Sequence, residues 1–110
     1  MVLEVAILNV RGGEGAAFEA VFARAQTIIA ASPGYQRHEL RRCVEAVDRY
    51  LLLVWWDRLE SHTEGFRGSA AYQEWKALLH GFYQPFPDVE HYTPLLEGSC
   101  DRPSSEIPNR

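Results

Sequence analysis

The stretch RYLLLVWWD, residues 49–57, decides how this chain folds. It is aliphatic and aromatic throughout its middle and holds neither Gly nor Pro, the composition of a strand. Side chains alternate across a strand. Tyr50, Leu52, Val54 and Trp56 therefore share one face, and Leu51, Leu53 and Trp55 the other. Both faces are apolar, and each carries a Trp. An antiparallel sheet that meets water on one side shows polar residues there, and this strand shows none. VLEVAILNV, residues 2–10, repeats the pattern, with Leu3, Val5 and Ile7 on one side and Ala6, Leu8 and Val10 on the other.

Working outward, Gly12 and Gly13 end the first strand, and a helix is predicted over 14–31 with Phe18, Val21, Phe22, Ala25, Ile28 and Ile29 in one stripe. Glu14 lies in its first turn, where the helix dipole favours a carboxylate. Ser32, Pro33 and Gly34 stop it. YQRHELRRC (35–43) is a polar, alternating edge strand, whose charges discourage pairing with other chains. After the central strand, Ser61-His62-Thr63-Glu64 has the pattern of a capping box opening a short helix. Ser69 caps the next helix, whose buried stripe is Tyr72, Trp75, Leu78, Leu79 and Phe82. Pro85 and Pro87 break it, and 89–96 form a last strand. The order β-α-β-β-α-β gives an α+β chain of the ferredoxin-like, split β-α-β kind: one four-stranded antiparallel sheet with its helices on one face. Two helices cover only one sheet face. Each large side chain left wet on the other forgoes about 1.5–3 kcal/mol, so a homodimer paired sheet to sheet is expected, with a groove for a lipid or substrate as the alternative.

Composition narrows the function. The chain has 110 residues, enough for one domain. Residues 1–97 form it, and 98–110 (GSCDRPSSEIPNR) read as a flexible tail. Eleven Lys and Arg stand against fifteen Asp and Glu, so no basic field for nucleic acid exists. The apolar N-terminal run stops at Arg11, too short to span a bilayer and without the marks of a signal peptide. Cys43 and Cys100 read as free thiols, and the protein as cytoplasmic. His38, His62, His80 and His91 fall into no HxH or HExxH pattern, so neither a metal site nor a bound cofactor is expected.

The run from Trp56 through DRLESHTEGFRGSAAYQEW resembles the antibiotic biosynthesis monooxygenase family. Trp56, Ser61, His62, Phe66, Ser69, Tyr72 and Trp75 can be laid on the family pattern, and VRGGEGAAFEAVF resembles its exit from the first strand, with Gly13 at the usual Gly. The resemblance covers nearly all of 2–97. It implies a dimeric α+β barrel. It also implies, among other possibilities, an oxygenase that acts on an aromatic or quinol-type molecule with O2 and without metal or flavin. Haem-degrading members use an Asn on the first strand, a Trp in the middle helix and a His on the last. Here Gly65 or Phe66 and Trp75 or Lys76 stand at the latter two places. The second His that several members carry four residues after the first is Phe66 in this chain.

On that resemblance two residues are candidates for catalysis. His62, on the first turn of the middle helix, would be the general base for a phenolic or enolic substrate. Asn9, which interrupts an apolar strand, would polarise a carbonyl or hold an oxygen intermediate if it faces a cavity between sheet and helices. Facing elsewhere, it bonds to backbone. Trp56, Phe66, Tyr72 and Trp75 would be the walls of a pocket for a small aromatic or apolar ligand. The same features also describe a non-catalytic dimeric binding module, or a structural dimer.

Overall fold

The structure, a computed structural model, describes residues 1–100. The strands are β1 (Val2–Asn9), β2 (Tyr35–Arg42), β3 (Arg49–Trp56) and β4 (Val89–Tyr92). The helices are α1 (Gly15–Ala30) and α2 (Ala70–Leu79), with a π-helical turn at Ser61–Phe66 and a 3-10 turn at His80–Phe82. The sheet order is β2-β3-β1-β4, with every neighbouring pair antiparallel. That is the expected split β-α-β arrangement with helices on one face. Of the tail, 98–100 are exposed and without regular structure, and the rest lies outside the described residues.

β1 pairs with β3 along its whole length, from Val2 opposite Trp56 to Asn9 opposite Arg49. This register joins the helix-facing sides of the two strands, Glu4, Ala6 and Leu8 with Tyr50, Leu52, Val54 and Trp56, into one buried surface. Phe18, Phe22, Ala25 and Ile29, spaced at helical intervals along α1, pack onto it. The opposite face carries Leu3, Val5, Ile7, Leu51, Leu53 and Trp55, partly exposed, with Ile7 53% exposed. Arg37, on the same face of β2, lies over the Trp55 ring at 4.0 Å.

Two turns depart from expectation. Ser61 does not cap the π-helical turn. Its hydroxyl donates to Asp57 Oδ1 at 2.5 Å, and Asp57 Oδ1 also accepts the Arg58 amide at 2.7 Å. The residue at the N-cap is Glu60, whose side chain makes no capping bond, and Ser61 is spent on Asp57 instead. Gly34 (φ +87°) lies so close to this corner that a Cβ would fall 2.4 Å from Ser61 Oγ, so only glycine fits. Ser69 caps α2 as expected, accepting the Tyr72 amide at 3.1 Å. The last strand stops at Tyr92, short of Leu96.

Glu14 makes no side-chain bond at the start of α1. The cap comes from Asp48, far along the chain, whose carboxylate accepts the amides of Gly13 (2.9 Å) and Gly15 (3.1 Å). Asp48 sits at φ 62°, where Asp and Asn are tolerated better than other residues with a Cβ. Asp48→Ala loses both bonds and strains the backbone. Its stability should fall by about 1–2 kcal/mol in urea unfolding, and Asp48→Asn should retain most of it.

Candidate active site

β1 places one carboxylate on its buried face. Glu4 is only 5% exposed. Its backbone neighbours are Val54 on β3 and His91 on β4. Trp56 lies two residues beyond Val54 on the same face, and its indole donates to Glu4 Oε1 at 3.0 Å. The π-helical turn brings His62 over this pair. Its ring stacks on Trp56 with centroids 5.3 Å apart. Nε2 stands 3.4 Å from Glu4 Oε1, a close approach rather than a formed hydrogen bond. Nδ1 is 2.8 Å from His91 Nε2. The wide turn matters here. The bond from the Arg67 amide to the His62 carbonyl spans five residues, and both His62 and Phe66 are turned inward.

The result is a chain of contacts, Trp56–Glu4–His62–His91, whose two middle members, Glu4 and His62, line a cavity of about 440 Å³. That volume lies in the range of small-molecule sites, roughly 300–1,000 Å³. Phe66, Tyr72 and Trp75 line it, and Leu8, Tyr83 and Phe86 complete much of the apolar wall. Arg67 also lines it and has no carboxylate within ion-pair distance among the described residues.

Burial sets the protonation states. It raises the Glu4 carboxyl from its ordinary 4.5 to about 7, against the opposing effects of the Trp56 hydrogen bond and the Arg67 charge. Burial, then Arg67, then His91 lower His62 from 6.5 to about 3. The Tyr83 phenol is pushed well above its usual range by burial and by the charge of Glu4. Near neutrality the titrating group is therefore Glu4, while His62 stays a neutral imidazole. One ring N–H on His62 serves either neighbour.

Two expectations need correction. Asn9 does not face the helices. It has the parity of Leu3, Val5 and Ile7, and that side of β1 is the open face, so Asn9 lies away from the cavity and accepts a bond from Arg49 Nε at 3.0 Å. Both faces of β1 are apolar, so periodicity carried no sign of which one the helices cover. Trp56 is fully buried but stands behind His62 instead of lining the cavity. The residue missed from the sequence is Glu4. Its signal was present: a lone carboxylate sharing the parity of Ala6, Leu8 and Val10 in an apolar strand. His91 faces inward and Tyr92 outward. His38 lies outside this cavity, between β2 and α1, with Nε2 2.8 Å from Gln26 Oε1.

Comparison with known proteins agrees with this architecture. The family model described as antibiotic biosynthesis monooxygenase matches residues 1–78. The chain belongs to this family. It is 55% identical over 92 residues to the uncharacterized protein YczJ of Bacillus subtilis (strain 168), a match covering 84% of this chain and 97% of that protein. A Bordetella bronchiseptica structure assigned to the same family is 35% identical, with a TM-score of 0.82 over 86% of this chain and 97% of that one. SnoaB, a cofactor-independent oxygenase from Streptomyces nogalater, shares the fold in its mutant crystal structure, at 23% identity and a TM-score of 0.75, covering 87% of this chain and 94% of that one. Among the described residues no helix is long and apolar enough to cross a membrane.

The two opposite shifts leave a pH signature. The raised Glu4 value stabilises the fold below pH 4.5, an effect lost as pH rises through about 7. The lowered His62 value stabilises it above pH 6.5, an effect lost as pH falls toward 3. Between 4.5 and 6.5 the unfolded chain holds one proton, on His62, and the folded chain one, on Glu4. The pair then gives no slope. In Glu4→Gln the folded state loses its proton and the unfolded state does not. Relative to the parent, stability of this variant should rise with pH across that window by up to about 1.4 kcal/mol per unit, read from urea unfolding at a series of pH values.

Proposed function

We propose that the protein is a cofactor-independent oxygenase that oxidises a small aromatic or quinol-type molecule with O2 in this cavity. The observation that carries the reading is Glu4, a carboxyl held near neutral pKa inside an aromatic-walled space, in contact with a neutral imidazole. A base poised near the working pH suits removal of a weakly acidic proton. Family membership supports the reaction class, and fold likeness to SnoaB agrees with it.

In this mechanism ionised Glu4 takes a proton from the substrate, and Arg67 at the cavity wall favours the anion so formed. The anion supplies the electrons that reduce O2. A C–O bond forms to give a peroxide, the O–O bond then breaks, and water leaves. The balance is RH2 + O2 → R=O + H2O, and Glu4 returns its proton to the departing oxygen. The apolar walls keep bulk water from the reactive anion. The base is thus Glu4. His62 orients the carboxyl and exchanges protons with it, and Asn9, outside the cavity, has no part in the step.

The test is O2 uptake with an anthrone, whose ring CH2 between two aryl groups gives an oxidisable anion. The value of kcat/KM should rise with pH and level off above about 7, because the ionised carboxylate is the active form. Glu4→Gln should lose at least about a hundredfold and the pH step with it. Binding of the anthrone without O2 uptake would favour the non-catalytic binding module.

We also infer that two copies pair through the open sheet face. The reading rests on the apolar band of β1 and β3 that the helices leave uncovered, with Asn9 and Arg49 at its end. The chain should sediment at twice its mass of 12.5 kDa. Leu53→Asp, in the middle of that band, should weaken the dimer by roughly a hundredfold or more while leaving the monomer folded.

A further inference from the structure

The cavity also holds a hydrogen-bond donor that the proton transfer at Glu4 does not use. Tyr83 follows the 3-10 turn and is only 7% exposed. Its backbone is pinned. Tyr83 stands opposite Val10 in an antiparallel bridge, its amide donates to the His80 carbonyl at 3.3 Å, and the next amide, of Gln84, donates to the Asn9 carbonyl at 2.8 Å. The ring meets Phe18 and Phe86 edge to face, with centroids 6.0 and 6.4 Å away. The hydroxyls of Tyr35, Tyr50 and Tyr92 bond to His38, Glu19 and Glu90. That of Tyr83 has no partner among the described residues, yet it is not sealed off, because His80 Nδ1 is the sole enclosed side-chain nitrogen or oxygen there without one. The hydroxyl therefore meets open space, and Tyr83 lines the cavity. Glu4 lines the same space, and its charge acts on the phenol. Phenylalanine would serve the packing equally well. A nearly buried hydroxyl left unpaired is costly, and native proteins seldom keep one without a use.

We propose that Tyr83 is a catalytic residue, whose hydroxyl donates a hydrogen bond to the substrate oxygen on which negative charge gathers once Glu4 has taken the proton. The assignment rests on the reading of this cavity as an oxygenase site. Before the transfer the charge sits on Glu4. The transfer neutralises the carboxyl and moves the charge onto the substrate, where the phenol meets it. The hydroxyl has no bond to give up, and backbone and ring contacts already hold it in place, so the donor acts without rearrangement. A bond that strengthens as the charge moves favours the anion over the neutral substrate, and so lowers the barrier more than it tightens binding. Burial, then the Glu4 charge, push the phenol well above its usual range. It stays protonated wherever Glu4 titrates, and it is a donor rather than a second base. No proton leaves Tyr83 in any step, and the proton balance through Glu4 is unchanged. Arg67 is an exposed residue that acts on the anion through its charge, whereas Tyr83 acts from the buried wall through a directed bond.

The experiment measures O2 uptake with an anthrone in the full-length protein and in Tyr83→Phe, which keeps the ring and removes the hydroxyl. The variant should lose at least about tenfold in kcat, with KM within about threefold of the parent's. The rise of kcat/KM to its plateau above about 7 should persist in the variant, because that step belongs to Glu4. A second probe needs no turnover. p-Nitrophenol changes colour when it ionises, and at saturation the ratio of bound anion to bound neutral phenol should be at least about fivefold lower in Tyr83→Phe than in the parent. The carbon resonance of Tyr83 Cζ in the parent should also move on saturation with p-nitrophenol, a readout that does not depend on any variant folding. A kcat in Tyr83→Phe within about threefold of the parent's, an equal ionisation of the bound phenol in both proteins, or an unmoved Cζ resonance would overturn the assignment of Tyr83 and leave the Glu4 reading standing. If the parent consumed no O2, the oxygenase reading would fall, and the catalytic role of Tyr83 with it.

Discussion

The residue-by-residue pairing of β1 with β3 constrains everything else in this molecule. Eight consecutive pairs fix which side of each strand lies under the helices. A slip of one residue would put Glu4 and Trp56 on opposite faces of the sheet and break the buried pair. The turns that hold the helices depend on the same register. Asp48, just ahead of β3, caps α1, and Asp57, just after it, organises the corner where Gly34 and the π-helical turn meet. Scaffold and site are therefore specified together.

Glu4 runs against the ordinary rule for strand interiors. A carboxylate costs several kcal/mol to bury ionised, and the protein lowers that cost by keeping it largely protonated below pH 7 and giving it an indole donor. The neighbouring His62 meets the same apolar surroundings in the opposite sense and stays neutral. A pair of titratable groups driven apart by one environment is the arrangement expected where proton transfer is the task. Local rules are broken where function requires it, and β1 breaks them once on its buried face.

The other sheet face is built on different terms. Its centre is aliphatic, and its β2 side carries Arg37, Glu39 and Arg41 in an ion-paired row. Exposed pairs of this kind add little stability. They do keep the outer strand unattractive to edge pairing while leaving the central apolar band free for a face-to-face contact. Asn9 and Arg49 close one end of that band with a hydrogen bond.

Much of the fold was legible in the sequence. The strand over 49–57, the α1 stripe from Phe18 to Ile29, the Ser69 cap and the β-α-β-β-α-β order all follow from spacing and local chemistry, because each is decided by residues close in sequence. For the site, the signal in Phe66, Tyr72 and Trp75 is the family resemblance rather than their spacing. The two faces of β1 could not be told apart, because both are apolar and parity alone does not say which one meets the helices. That choice depends on packing against α1 and α2, which leaves Asn9 on the open face and Glu4 on the buried one. The protonation states were equally out of reach. Glu4 titrates near neutrality only because Trp56, His62 and the aromatic wall exclude water from it, and those neighbours are brought together across more than fifty residues of chain by the fold alone.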